Sequence, residues 1–233
     1  MKLTINTSFP ENGSSQSLLI LVDSEQLQNT TSTYQINNLD RLIEASQFKA
    51  ALAESLSLIG QVSQSSHAAL IGLGKVAELQ PAKLAKIAQT IIQATQKKFK
   101  QISVDLTQLP QELHYLFALA LTQASYGYDE YKSKKNEFVL EQIDLIATHS
   151  VLTTEQLQLV QAVQSGQNLA RDLGNRPGNI CFPEYLADQA IALAAEYPDL
   201  LKVTVLDEQQ MVDLGMGAFL AVSQGSERPG RII

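Results

Sequence analysis

Few residues in this chain carry chemistry, and their spacing limits what that chemistry can be. The stretch IGLGK, Ile71 to Lys75, runs an apolar segment into two glycines and a lysine. A strand that ends in glycines can present backbone N–H groups to a phosphate. A P-loop, however, needs four residues between its first glycine and Gly-Lys, then Ser or Thr, and here Val76 follows Lys75. The spacing predicts a tight turn leaving a buried strand. His67, His114 and His149 lie far apart, none paired at i, i+4. With no carboxylate or thiol at ligand spacing they make no zinc signature, and ordinary packing or surface roles are expected. Cys181 sits between Ile180 and Phe182, before a proline. A catalytic thiol needs an activating partner, and none stands nearby, so a structural role is expected.

The carboxylates occur as Asp129–Glu130, Glu141 with Asp144, and Asp207–Glu208. Neighbouring side chains on a strand or helix point apart, so a solvated face or a helix-start charge is the expectation for each. Lys132, Lys134 and Lys135 read as a solvated basic turn that could attract phosphate or nucleic acid, and GSERPGR, Gly225 to Arg231, as a surface loop. No nucleophile–base pair, metal cage or cofactor cradle assembles. From the residues alone no catalytic, cofactor-binding or metal-ligating residue is nominated.

The elements around these residues alternate. KLTINT (Lys2 to Thr7) has the period-2 pattern of a half-buried strand, while SLLILV (Ser17 to Val22) and HAALIGL (His67 to Leu73) read as buried strands. Asn38 to about Ile59 reads as helical or mixed. Pro81 suits a first helical position. Leu84, Ile87, Ala88, Ile91, Ile92 and Phe99 then form an apolar stripe, with Lys97, Lys98 and Lys100 near the expected C-terminus. ISVDL (Ile102 to Leu106) predicts a strand, Pro110 to about Tyr126 a helix, and Phe138 to Ala147 a strand. A helix over Thr154 to Leu173 should start on a capping box, Thr153 with Gln156, flanked by Leu152 and Leu157 as a hydrophobic staple. Beyond the GNRPGN break, Pro183 begins a helix with Leu186, Ala187, Ala190, Ile191, Ala194 and Tyr197 on its core face. VTVL (Val203 to Leu206) reads as a strand, Asp207 to Leu214 as a short helix, and Ile232 as the opening of another strand. Strands separated by helices predict an α/β layer architecture. The expected division is an N-terminal α/β domain over 1–150, a bridging helix over 151–174 and the start of a second α/β domain over 175–233.

The chain has 233 residues, a formal net charge of -7 and 45% apolar residues, ordinary for a soluble globular protein. The negative charge argues against nucleic acid or an anionic membrane as the main partner. One cysteine excludes an internal disulfide framework and fits a reducing cytoplasm. No run of 18 apolar residues occurs, and MKLTINTSFPENG lacks the apolar core of a signal peptide.

Three stretches, in order, resemble one family. YGYDEYKSKK (Tyr126 to Lys135) resembles the end of the N-terminal domain of the leucyl aminopeptidases, the cytosol aminopeptidase family of dinuclear metallopeptidases. LARDLGNRPGNICFPEYLADQA (Leu169 to Ala190) is similar to that family's bridge helix and first catalytic-domain helix, with an ARDL-x-N-x-P-x-N-x-x-x-P core. LGMGAFLAVSQGSERPGRII (Leu214 to Ile233) resembles the following LGMG, AVxQGS and arginine-containing strand entry. Two positions depart from the pattern. Gly178 stands where many members have a second proline. Phe182 stands where a capping Thr or Asn is common, so that helix start should need support from elsewhere in the fold.

The resemblance implies a macro-domain-like N-terminal α/β domain, a bridging helix and an incomplete fragment of the catalytic α/β domain. It implies an enzyme that releases N-terminal amino acids from peptides with two divalent metal ions, Mn or Zn, in a cytoplasmic homo-hexamer. The family's ligands and catalytic residues sit in GKG...FDTGG and NTDAEGR regions, and neither occurs here. No metal, cofactor or catalytic residue is carried over, and the chain alone is expected to be inactive, the front part of an aminopeptidase interrupted as a catalytic-domain strand opens. Two other readings remain open. One is a binding module taking an ADP-ribose-type ligand or DNA, at Ile71 to Lys75 or at the Lys132 to Lys135 patch. The other is an oligomerisation or scaffold fragment that docks with intact subunits.

Overall fold

The structure is a computed structural model and describes residues 1–8, 17–29, 36, 38–62, 65–147 and 152–233. It divides into two compact units, Met1–Asn168 and Leu169–Ile233.

The first unit is built on a six-stranded sheet. Its strands are β1 (Lys2–Asn6), β2 (Ser17–Asp23), β3 (Ser55–Val62), β4 (Ser65–Gly74), β5 (Gln101–Asp105) and β6 (Gln142–Ile146). They lie in the order β1-β6-β5-β2-β4-β3. Every pairing is parallel except β3 with β4, a hairpin partner that closes one edge. All seven residues of β2 are buried, as the unbroken apolar run of a central parallel strand requires.

Alternation along the strands sends side chains to two cores. Leu19 and Leu21 join Ile71, Ile102, Val104 and Leu145 on one face. There they pack with helix α2 (Pro81–Thr95), helix α3 (His114–Ala124) and the first turns of helix α4 (Thr154–Asn175). Leu18, Ile20 and Val22 face the other way, toward Leu39 of helix α1 (Leu39–Ser46), Phe48 and Ile36.

The stripe read from the sequence is the buried face of α2: Leu84, Ile87, Ala88, Ile91 and Ile92 are all buried. The helix stops at Thr95, whose hydroxyl donates to the Ile91 carbonyl at 2.7 Å. Lys97, Lys98 and Lys100 therefore lie past its end and not in its last turn. The capping box of α4 forms in both directions: the Gln156 N–H donates to Thr153 Oγ1 at 3.2 Å, and the Thr153 N–H to Gln156 Oε1 at 3.0 Å. Leu152 and Leu157 are both buried beside it. Three expectations are corrected. The mixed stretch resolves into α1 followed by the edge strand β3. Residues 138–141 carry no strand, so β6 is half the expected length. A 3-10 turn, Gln111–Leu113, precedes α3, which starts four residues later than Pro110.

The second unit holds helix α5 (Pro183–Glu196), helix α6 (Glu208–Asp213) and helix α7 (Gly217–Ser223). The strand expected over Val203 to Leu206 reduces to one antiparallel bridge, Leu206 with Ile232. Helix α7 was not foreseen, because GAFLAVS is too short to show a helical period. On α5 only Ala187 is buried, while Leu186, Ile191 and Tyr197 of the anticipated core face are exposed.

Candidate functional site

The glycine turn at the end of β4 is occupied by the protein's own backbone. The Gly72 N–H donates to the Glu54 carbonyl at 2.8 Å and the Gly74 N–H to the Ala50 carbonyl at 3.0 Å. A Cβ on Gly72 would lie 2.1 Å from the Ala51 carbonyl oxygen, and Gly74 has φ +70. Both glycines are thus required by close approach and by a left-handed turn. Their N–H groups face Ala50–Glu54, so this turn is no phosphate cradle. Lys75 pairs loosely with Glu25 at 3.6 Å on the surface.

The parallel register of β2 and β4 sets Leu18 beside Ala68 and brings Ser17 to His67, fifty residues away. The Ser17 hydroxyl lies 2.7 Å from His67 Nδ1, and His67 Nε2 lies 3.3 Å from Ser57 Oγ. No local sequence signal marks this pair. It has the composition of a nucleophile and a base, but Ser17 is fully buried and the second ring nitrogen faces the Ser57 hydroxyl in place of the carboxylate that orients a catalytic imidazole. Burial, with Lys98 adding to it, holds the His67 imidazole below its usual pKa. His114 is also buried, and its Nε2 donates to the Leu109 carbonyl at 2.9 Å. Both histidines pack, as expected. His149 lies outside the described residues.

Asp144 departs from the solvated face expected of it. It is 3% exposed on β6 and ringed by neutral donors. The Gln101 amide reaches Oδ2 and the Gln142 amide Oδ1, each at 2.6 Å, and the Thr4 hydroxyl donates to Oδ1. These bonds tie the edge strand β1 and strand β5 to β6 through one carboxylate. Asp129 anchors the loop that carries Lys132, Lys134 and Lys135, accepting from the Asn136 N–H at 2.7 Å, and those lysines are exposed. Asp207 caps α6 in a full capping box with Gln210. Glu208 reaches across to GSERPGR and accepts the Gly230 N–H at 2.9 Å. That bond, the Ser223 hydroxyl and Arg231 hold its carboxyl below the usual range.

The segment Leu169 to Ala190 is laid out as its motif suggests. The Pro177 carbonyl accepts from the N–H groups of Ile180 and Cys181, both at 2.9 Å, turning the chain into α5. Phe182 occupies the N-cap position without any side-chain cap bond. Its ring instead lies under the Arg228 guanidinium, 4.3 Å from the centroid. Arg176 donates to the Tyr185 hydroxyl and covers that ring. Cys181 is half-buried and free. Among the described residues no group of three or more His, Cys, Asp or Glu side chains could hold a metal ion. The two metal ions that the resemblance implies therefore find no ligand set among them.

Comparison with known proteins gives one answer throughout. Residues 19–135 match the family described as Cytosol aminopeptidase family, N-terminal domain. Residues 168–233 match the Cytosol aminopeptidase family, catalytic domain. A "Probable cytosol aminopeptidase" of Acinetobacter baumannii is 69% identical over all 233 residues, which cover 48% of that protein. Proteins of the same description from Acinetobacter baylyi and Pseudomonas paraeruginosa are 64% and 38% identical, the latter over 70% of this chain and 35% of its own length. The chain thus spans about half the length of the first of these curated relatives. Among solved structures, a tomato leucine aminopeptidase mutant superposes with a TM-score of 0.82 at 22% identity, over 98% of this chain and 49% of that one. The "Bottromycin maturation enzyme BotP" superposes with a TM-score of 0.72 at 20% identity, over 94% and 45%. At those identities the structures show a shared fold. The sequence matches run through both domains in order, and the chain belongs to the cytosol aminopeptidase family.

Proposed function

We propose that the protein of which this chain is a part is a metallo-aminopeptidase that releases N-terminal residues from peptides. Residues 1–150 supply its N-terminal domain, 151–174 a bridging helix and 175–233 the start of its catalytic domain. The observation that carries this reading is the 69% identity to a "Probable cytosol aminopeptidase" along the whole chain, over only 48% of that relative. The two divalent metal ions, Mn or Zn, and the residues that hold them belong to the remaining half. A structural neighbour described as BotP in complex with Mn supports manganese as one of the candidates. The active assembly is a cytoplasmic homo-hexamer acting on peptides. No helix among the described residues is long and apolar enough to cross a membrane.

The exposed apolar side chains of the second unit support the same reading. Leu200, Val212, Leu214, Phe219 and Val222 are more than half exposed, a concentration that marks an interaction surface. In the whole enzyme the rest of the catalytic domain covers them.

The test uses two proteins and one substrate, leucine p-nitroanilide with added manganese or zinc. The 233-residue chain turns over nothing, because without metal ligands there is no activated water. The same chain fused to the remaining half of the Acinetobacter baumannii relative hydrolyses the substrate in a metal-dependent way. Turnover by the 25.5 kDa chain of verified mass, or a folded but inactive fusion, overturns the proposal.

A further inference from the structure

Helix α4 changes character as it passes the edge of the sheet. Leu157 and Val160 are buried in the core. Gln161, Gln164, Ser165 and Asn168 follow at i, i+3, i+4 and i+7, so they share one face, and all four are polar. That face meets the edge strand β1, where the Gln161 Nε2 donates to the Leu3 carbonyl at 3.4 Å. A helix normally closes on a sheet with apolar side chains. Here polar ones leave a groove: a cavity of about 550 Å³ lies between this face of α4 and the chain at the amino ends of β1 and β6, at Met1, Lys2 and Glu141. That volume falls in the range of small-molecule sites, roughly 300–1,000 Å³.

The strand side of the groove carries opposite charges that do not meet. The Lys2 N–H donates to the Glu141 carbonyl at 2.8 Å, which sets the two residues side by side, yet their side chains form no ion pair. Glu141 has a loose contact with Lys100 at 4.0 Å, with the side chains 73% and 69% exposed, and such a surface pair is worth little. The Lys2 ammonium has no ion-pair partner among the described residues. The α-amino group of Met1, next to it in the chain, adds to the positive charge.

The helix side is partly engaged and partly available. Gln161 is tied to Leu3, and the Gln164 Nε2 donates to Ser125 Oγ at 3.5 Å. Those bonds hold the two side chains in place. Ser165 and Asn168 have no hydrogen-bond partner among the described residues, and a hydroxyl and a carboxamide each donate and accept. The Met1 side chain packs against the core and adds an apolar surface. A simple anion would leave Glu141 unmatched, and a simple cation would leave Lys2 unmatched. A molecule with an ammonium for Glu141 and a carboxylate for Lys2 matches both, through charge-assisted bonds roughly twice as strong as neutral ones.

We infer that the groove between α4 and the amino ends of β1 and β6 binds a free α-amino acid as its zwitterion. The inference does not rest on the peptidase reading, since all its residues lie in the first unit. The test is titration of the isotope-labelled 233-residue chain at pH 7, followed by amide chemical shifts. The probes are L-leucine, L-glutamine, the amide and the N-acetyl derivative of each, and inorganic phosphate. At least one of the two amino acids gives saturable shifts at Lys2, Glu141, Ser165 and Asn168 with a Kd of about 1 mM or tighter. Its amide, which lacks the carboxylate, and its N-acetyl derivative, which lacks the ammonium, each bind about tenfold more weakly, the size of one lost charged hydrogen bond. Glu141→Gln, at an exposed position, keeps the native spectrum elsewhere, weakens the amino acid about tenfold and leaves its N-acetyl derivative unchanged. Should Glu141→Gln disturb the fold, Lys2→Gln serves the converse comparison, with the amide derivative unchanged. Saturation by neither amino acid, a singly charged derivative that binds as tightly as its parent, or phosphate that binds more tightly than both overturns the inference.

Discussion

The hydroxyl of Ser17 lies 2.7 Å from Nδ1 of His67, at the amino ends of two adjacent parallel strands. The ring also packs on Phe99 at a tilt of 41°, with centroids 4.8 Å apart. A neutral imidazole can accept a hydrogen bond and an imidazolium cannot. Protonation therefore removes acceptor capacity between two serine hydroxyls and places a charge in a half-buried site near Lys98. Both effects agree with the lowered pKa. Because the folded pKa lies below the usual 6.5, the unfolded chain takes up a proton first as pH falls. Stability is full above pH 6.5 and declines below it. Melting temperatures from pH 8 to pH 5 should show this decline, and His67→Gln should flatten it. Equal slopes for both proteins would remove His67 as its source.

Asp105 works in the opposite direction. Burial raises its pKa, and the two bonds from Thr107 only partly offset that. Above the unfolded value of 3.8 the folded chain retains a proton that the unfolded chain has lost. The contribution to stability is therefore present at low pH, is lost as pH rises through the folded pKa, and leaves a cost at neutral pH. Asp105→Asn keeps an acceptor for Thr107 without the charge. It is expected to raise the melting temperature at pH 7 and to lose that gain near pH 4.

The strands and helices of the first unit were legible because their signals are local. SLLILV can only be a buried strand, and the α2 stripe and the α4 capping box each fit inside one element. β3 was not legible. SLSLIGQV alternates weakly, and its strand state depends on pairing with β4 across a two-residue connection. Asp144 was misread for a similar reason: its donors come from Thr4 and Gln101 on other strands, so nothing near it in sequence announces burial. The family was legible from three motifs.

Gly72 and Gly166 form a contrast that separates close packing from propensity. A methyl group at Gly72 would sit 2.1 Å from the Ala51 oxygen and 2.5 Å from the Ala50 carbonyl carbon, both backbone atoms, whereas one at Gly166 meets nothing within 4 Å. Ala50 and Ala53 already hold positive φ, 53 and 63, so the opposing loop has little room to adjust. Gly72→Ala should destabilise the chain by about 1–3 kcal/mol as overpacking. Gly166→Ala, inside the 22-residue α4, should stabilise by up to about 1 kcal/mol through helix propensity alone. Urea midpoints of the two variants should move in opposite directions. A Gly72→Ala midpoint within error of the parent would mean that the Ala50–Glu54 loop gives way freely.

Phe182 and Arg228 carry the last prediction. A phenylalanine at an N-cap leaves an orphan N–H group that Asn would satisfy, a loss of about 1 kcal/mol. Its compensation is the guanidinium 4.3 Å above the ring, a contact worth roughly 0.5–1 kcal/mol where solvent reaches it. Phe182→Asn trades one for the other, so alone it should change stability little. Arg228→Ala removes only the cation and should destabilise by about the value of the contact. In the Arg228→Ala background nothing remains to be traded, so Phe182→Asn should recover about 1 kcal/mol. The double-mutant cycle measured from urea unfolding therefore yields a nonzero coupling between positions 182 and 228. Strict additivity would show that α5 begins without support from Arg228, and that the missing cap is compensated elsewhere.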